Sequence, residues 1–132
     1  FCLEERHCRL LDRAYIIFPF YKDGIDLLRL WPQLDPAEQE ACLARLAVVF
    51  GHMHKQGVYH GDTNWRNILV RREEDLWLFD LIDLDGCRFK KKPNKKMALH
   101  DLSHFDRDMD RHQITTPVQK LFHEKWEQAF NG

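Results

Sequence analysis

No run of about 18 apolar residues occurs in this sequence, so no part of it is expected to cross a bilayer as a helix. No export leader is expected. The four cysteines, Cys2, Cys8, Cys42 and Cys87, are scattered, with no CxxC pair among them. A domain of this size needs no covalent staples, and they read as reduced thiols of a cytoplasmic protein. An excess of either charge is also lacking. The net charge of −1 argues against a general nucleic-acid binder, so no nucleic-acid partner is expected. Internal repeats, low-complexity tracts and interdomain linkers are missing, which leaves one domain across residues 1–132. The first residue is Phe rather than Met, and the chain is expected to be a piece of something longer.

What is present has an ordinary globular balance, 44% hydrophobic and 31% charged. Residues 14–20 form a short aromatic and β-branched run that predicts a strand, closed by the turn-like Lys22-Asp23-Gly24. Residues 25–31 have helical spacing and stop at Pro32. The clearest helix signal follows. Asp35 is a natural N-cap, Pro36 suits the first helical position, and Glu38 completes a capping box. Leu43, Leu46, Ala47, Phe50, Met53 and His54 recur at three- and four-residue steps, and Gly57 suits a left-handed cap. A polar stretch leads to a strand at residues 68–70, a charged turn at 71–75 and a second strand at 76–82, which together read as a hairpin. A helix is predicted from Met97 to about Asp110 with Leu99, Leu102, Phe105 or Asp106, and Met109 on one side. Pro117 opens a last amphipathic helix carrying Val118, Leu121, Phe122, Lys125, Trp126 and Phe130. The fold class read from this pattern is α+β, mostly helical, with a small hairpin sheet.

The chemistry concentrates in residues 58–70. His60 stands two before Asp62, Asn67 stands five after it, and an apolar strand follows at once. Asp83 lies sixteen residues past Asn67, in Leu81-Ile-Asp-Leu-Asp-Gly86. Phosphoryl transfer needs a carboxylate to orient a hydroxyl and take its proton, and Asp62 on a loop after a rigid helix can do that. Magnesium favours hard oxygen donors, and Asn67 and Asp83 supply a neutral and a charged one, with Asp85 a further carboxylate. A hairpin between them could carry both to one end. The blander reading makes Asp62 and Asn67 loop residues that cap backbone groups, but it does not account for the position of Asp83.

The joint pattern, with its HGDxxxxN loop followed by strand, turn, strand and IDxD, resembles the catalytic and metal-binding loops of the protein-kinase-like superfamily. Within it, the sequence is similar to the small-molecule branch that includes aminoglycoside phosphotransferases and the lipopolysaccharide core kinases, which phosphorylate Kdo or heptose. The lipopolysaccharide kinase family is the preferred match, on residues 60–69 and 81–85, the basic stretch, and Asp101-Leu102. The resemblance covers about residues 14–110 and implies a kinase-like carboxy-terminal lobe. Residues 14–24 would hold adenine, 35–57 form the central helix and 58–70 the catalytic loop. Residues 76–86 would form the metal-binding segment and 97–130 the final helices. It implies ATP and magnesium as cofactors, Asp62 as base with His60 and Arg66 beside it, Asn67 and Asp83 on the metal, and Asp101 supporting the catalytic loop.

Two departures stand out. Gly61 replaces the arginine of the HRD motif, which argues against control by a phosphorylated activation loop. No glycine-rich loop, strand lysine or partnering helix glutamate is found, so the amino-terminal lobe is expected to be missing and the isolated chain inactive. The cations Arg88, Lys90, Lys91, Lys92, Lys95 and Lys96 crowd one segment. They read either as a solvated loop or as contacts to an anionic, lipid-linked sugar acceptor at the inner-membrane surface.

Several rivals were weighed. A haloacid-dehalogenase-like phosphatase would use Asp83 as nucleophile and Asp85 as acid, but Cys87 stands where threonine is expected and too little chain follows. His100 and His104, four apart on a helix, could share zinc, but no third ligand is obvious. His52 and His54 read as a helix face. Residues 106–110 lack the Gly and Glu of a calcium loop. A pseudokinase or binding module without catalysis is the non-enzyme alternative.

Overall fold

Asp35 and Glu38 set where the longest helix begins. The Asp35 side chain accepts the Glu38 amide at 2.9 Å, and the Glu38 carboxylate accepts the Asp35 amide at 3.2 Å. Both halves of the capping box are therefore made. The computed structural model describes residues 2–7, 10–16 and 24–132, with backbone alone before residue 24. Its elements in chain order are β1 (Cys2–His7), β2 (Leu10–Ile16), β3 (Ile25–Asp26), α1 (Leu27–Leu30) and α2 (Pro36–Lys55). They continue with β4 (Val58–Tyr59), β5 (Ile68–Glu73), β6 (Leu76–Leu81), β7 (Arg88–Phe89), α3 (Lys95–Arg111) and α4 (Thr116–Asn131). This is an α+β fold, mostly helical.

All strand pairs are antiparallel: β1 with β2, β3-β5-β6 as a three-stranded sheet, and β4 with β7. The β5–β6 hairpin matches the sequence reading, with a tighter turn: Arg71, Arg72 and Glu73 still belong to the ladder. The β1–β2 hairpin was not foreseen, and of the strand expected at 14–20 only residues 14–16 are described as strand, in β2. The turn expected at residues 22–24 lies outside the described residues except for Gly24.

The helix expected over residues 25–31 is corrected. Ile25 and Asp26 pair with Val70 and Leu69, and the Asp26 side chain caps a single helical turn by accepting the Arg29 amide at 3.0 Å. Pro32 does not stop the turn. It sits early in a 3-10 turn, Trp31–Gln33, where its missing N–H leaves no intrahelical bond unmade.

The core lies where α2, α3 and α4 meet. Phe50 of α2 meets Phe105 of α3 edge to face with centroids 5.5 Å apart, and Phe105 stacks on Phe122 of α4 at 4.8 Å. Cys42 is fully buried, and burial pushes its thiol up to about 12, which leaves it inert. Asn94 caps α3, which starts at Lys95, two residues before the expected Met97, and accepts the Met97 amide at 3.1 Å. The buried face of α3 also differs from expectation. Leu99 is 48% exposed, and the buried stripe is Ala98, Asp101, Leu102, Phe105, Asp108 and Met109. Two carboxylates therefore sit inside the core face of one helix. Among the described residues, no helix is long and apolar enough to cross a membrane.

Candidate active site

Those two carboxylates organise the loop between β4 and β5. Asp101 accepts the His60 amide at 2.6 Å on one oxygen and the Gly61 amide at 2.8 Å on the other. Its own carbonyl accepts the Thr63 hydroxyl. Asp108, two helical turns on, accepts the Trp65 amide at 2.9 Å. One rigid helix thus holds the loop by backbone groups on both sides of Asp62. Burial raises the Asp101 carboxyl, but the bonds from His54, Gly61 and His60 outweigh it and hold it below the usual carboxylate range.

Behind Asp101 stands His54, which the sequence reading took for an ordinary helix-face residue. It is fully buried. Its Nδ1 accepts the Trp126 indole N–H at 2.9 Å, so the ring proton is on Nε2, which donates to Asp101 at 3.2 Å. A chain of hydrogen bonds therefore runs from α4 through α2 to the loop. His54 also stacks on Tyr59 with centroids 5.7 Å apart. A His one residue before a helix end gives no hint of this. Only a buried carboxylate elsewhere, needing a neutral donor, would have pointed to it.

His60 was expected beside Asp62 as a member of the catalytic set. It is 1% exposed, and both ring nitrogens are engaged: Nε2 with the Ile82 carbonyl at 2.9 Å, and Nδ1 with the Asp62 amide at 3.3 Å. The first bond makes Nε2 the donor and Nδ1 the acceptor. His60 ties the Asp62 loop to the Asp83 segment and has no free nitrogen for proton transfer. Gly61 lies between them at φ +87°, and a Cβ there would stand 2.7 Å from the Gly86 carbonyl oxygen. Only glycine suits that backbone and that close approach. Gly57, at φ +75°, meets the Lys90 carbonyl in the same way, as expected of the left-handed residue after α2.

Asp62 itself is half exposed, its side chain at 49%. Asn67 donates its amide N–H to the Asp62 carbonyl at 3.0 Å and to the Asp62 carboxylate at 3.3 Å. Part of the blander capping role is therefore real, and it leaves the Asn67 side-chain oxygen for another partner. The Asn67 carbonyl accepts the Ile82 amide at 3.0 Å, extending the β5–β6 ladder by one rung. That rung brings the chain at Asn67 alongside residue 82, with Asp83 next. Asp83 is exposed and left-handed at φ 62°, a conformation aspartate tolerates better than most residues. Asp85 is exposed in the 3-10 turn Leu84–Gly86. The donor set fits magnesium: hard oxygens, one amide and one or two carboxylates, with room for water and phosphate. Among the described residues no group of three or more His, Cys, Asp or Glu forms a metal cage, so no all-protein zinc site arises at His100 and His104.

Two cavities flank the loop. One of about 570 Å³ is lined by Asp62, Asn64, Arg66, His104, Arg107, Asp108, Arg111 and others. The other, of about 390 Å³, is lined by Gly61, Gly86, Arg88, Lys96, His100 and Asp101 among others. Arg66 therefore shares a cavity with Asp62, whereas Arg88 lines the other one. Lys90, Lys91 and Lys92 line neither and are exposed.

Comparison with known proteins accords with this geometry. A solved structure described as "WaaP in complex with acyl carrier protein" superposes with a TM-score of 0.79 at 19% identity, covering 96% of this chain and 56% of that one. The chain thus spans little more than half the length of that neighbour, and the likeness speaks for the fold. No curated protein matches. The family model for "Lipopolysaccharide kinase (Kdo/WaaP) family" matches residues 4–126, nearly the whole chain and more than the stretch that carried the resemblance. The chain belongs to the lipopolysaccharide kinase (Kdo/WaaP) family.

Proposed function

We propose that the full-length protein transfers the γ-phosphoryl group of ATP to a sugar hydroxyl of the lipopolysaccharide core, and that residues 1–132 supply its carboxy-terminal, catalytic-loop lobe. The acceptor oxygen forms a bond to the γ-phosphorus. The bond from that phosphorus to the β,γ-bridging oxygen breaks, its electron pair leaves with ADP, and the hydroxyl proton passes to Asp62. Asn67 and Asp83 would hold magnesium, with Asp85 the next carboxylate. When bound, the ion neutralises charge on the phosphates. His60 and Asp101 act by position, fixing the backbone on either side of the base. Residues 14–24 would hold the adenine. We place the reaction in the cytoplasm, with the exposed cations Arg88, Lys90, Lys91 and Lys92 turned toward an anionic, lipid-linked acceptor at the inner membrane.

One observation carries this reading: a half-exposed carboxylate stands in a cavity wall on a loop whose amides at residues 60, 61 and 65 are bonded to aspartates of a neighbouring helix. That is how a base is held at fixed geometry, with Asn67 as the side-chain contact to its carboxylate. The phosphatase alternative loses support, because every described strand pair is antiparallel and Asp83 ends no parallel strand. The related structure was solved in complex with acyl carrier protein, which supports a protein partner for the full-length protein as a second reading.

The test is transfer from γ-labelled ATP to a core oligosaccharide by the full-length protein. Label on the sugar, dependent on magnesium and abolished in Asp62→Ala, is expected. Tight magnesium-ATP binding without transfer to any core acceptor would favour a binding module. Label on Asp83 would favour the phosphatase.

A further inference from the structure

The cavity that Asp62 lines is uneven in charge. Its wall carries three guanidinium groups, Arg66, Arg107 and Arg111, against two carboxylates, Asp62 and Asp108. Asp108 is already committed, to the Trp65 amide at 2.9 Å and to Arg111 at 3.0 Å. Asp62 is turned toward Asn67 and lies 3.7 Å from His104. His104 takes a hydrogen bond from Arg107 on the same Nδ1, so that nitrogen is already engaged as an acceptor. Among the described residues, Arg66 and Arg107 have no carboxylate within ion-pair distance. They approach from different elements: Arg66 from the 3-10 turn Trp65–Asn67, and Arg107 from α3 one turn before Arg111. The turn bearing Arg66 is fixed by Asn64, which accepts the Arg66 amide at 3.0 Å. The floor beneath is fixed by Trp65 stacked on His112, with centroids 4.6 Å apart.

We propose that Arg66 and Arg107, with Arg111 in support, form a subsite for an anionic group on the acceptor, a carboxylate or phosphate borne near the hydroxyl that Asp62 deprotonates. The proposal rests on the kinase reading of Asp62. Guanidinium forks recognise such oxyanions bidentately. Placed beside the base, they orient the acceptor and offset the repulsion between its charge and that of Asp62. The subsite also separates two roles the sequence reading had merged. Recognition of the acceptor's charge belongs to the arginines in the Asp62 cavity, and Lys90, Lys91 and Lys92, which line neither of the two cavities, serve surface attraction only.

The experiment uses the full-length protein and matched acceptors: a core sugar acid, its methyl ester, and a phosphorylated core sugar before and after phosphatase treatment. Calorimetric affinity and acceptor KM are both measured, with Arg66→Gln and Arg107→Gln as variants on separate elements. Wild type should prefer the charged member of at least one pair by about tenfold, the scale of a charge-assisted hydrogen bond. Each variant should erase that preference, and Arg107→Gln, which lies outside the catalytic loop, should leave the KM for ATP where it was. The pair that shows the preference identifies the anion as carboxylate or phosphate. A preference erased by the variants in a protein that transfers no phosphate keeps the subsite and rejects the kinase reading. Equal affinity of wild type for both members of both pairs overturns the subsite whatever the turnover. So does a preference that survives both variants.

Discussion

The two segments that bring chemistry to this site, residues 60–67 and 83–92, are built in opposite ways. In the first, His60, Thr63, Trp65 and Asn67 are buried, and the amides of residues 60, 61 and 65 all end on aspartates of α3. In the second, every residue but Cys87 is exposed. Its ties are few: the Lys90 amide on the Gly57 carbonyl at 2.8 Å, the β4–β7 pairing, and the approach of Gly86 to Gly61. Rigidity is concentrated where a proton must be met at fixed distance. The segment that would meet a hydrated ion and a charged surface is left in water, where its carboxylates and lysines keep their solvation. Local stability and local chemistry are therefore expected to separate on mutation.

The largest effect on stability is predicted for Asp101→Ala. It strands two buried amides and the His54 N–H, and should cost about 3–5 kcal/mol, read from denaturant unfolding of the full-length protein. A loss under about 1 kcal/mol would mean the loop is held by something else. Trp126→Phe comes next. It leaves the buried His54 Nδ1 without a donor at an expected cost of about 1–3 kcal/mol, and should lower turnover only through the population of folded protein.

Acid sensitivity belongs to the same segment. The Asp101 carboxyl titrates lower in the folded chain than in the unfolded one. Its contribution therefore stands in full above about pH 4, near the unfolded carboxylate value, and is lost as pH falls through the lower folded value. Asp101→Asn should flatten the pH dependence of unfolding in that window. An unchanged profile would remove Asp101 as its source.

The second segment should respond in the other sense. Asp83→Asn is predicted to weaken magnesium-ATP binding by more than Asp85→Asn, with stability moved by no more than about 0.5 kcal/mol in either case. The reverse order would shift the metal contact to Asp85. Smallest of all, Lys90→Ala, Lys91→Ala and Lys92→Ala together should leave the melting temperature in place and flatten the salt dependence of the acceptor KM. If kinetics and membrane association both stay the same, the cluster is a solvated loop.

Much of the frame around the first segment was legible because its signals are local. Asp35-Pro36 with Glu38 fixes the start of α2, Gly57 its end, and the hairpin follows from two apolar runs around a charged turn. The HGDxxxxN spacing put Asp62 and Asn67 on one loop, and they are hydrogen-bonded to each other. What could not be read depends on partners distant in sequence. Leu99 was placed in the α3 stripe because apolar residues are assumed to face inward. The real stripe runs through Asp101 and Asp108, which are buried because loop amides neutralise them there. His54 was hidden for the same reason, its two partners lying 47 and 72 residues away. The pairing of Ile25 and Asp26 with β5, and the cap that Asp26 supplies, start the helical turn at Leu27 and not at residue 25.

The most direct test is to measure turnover and thermal unfolding on one preparation of full-length Asp62→Ala. Asp62 is half exposed, and the backbone on both sides of it is held by α3, so the melting temperature should stay within a few degrees of wild type. Phosphoryl transfer should fall by at least about 100-fold, the scale of general base catalysis. Transfer at the wild-type rate in a normally folded Asp62→Ala protein would contradict the account at its centre.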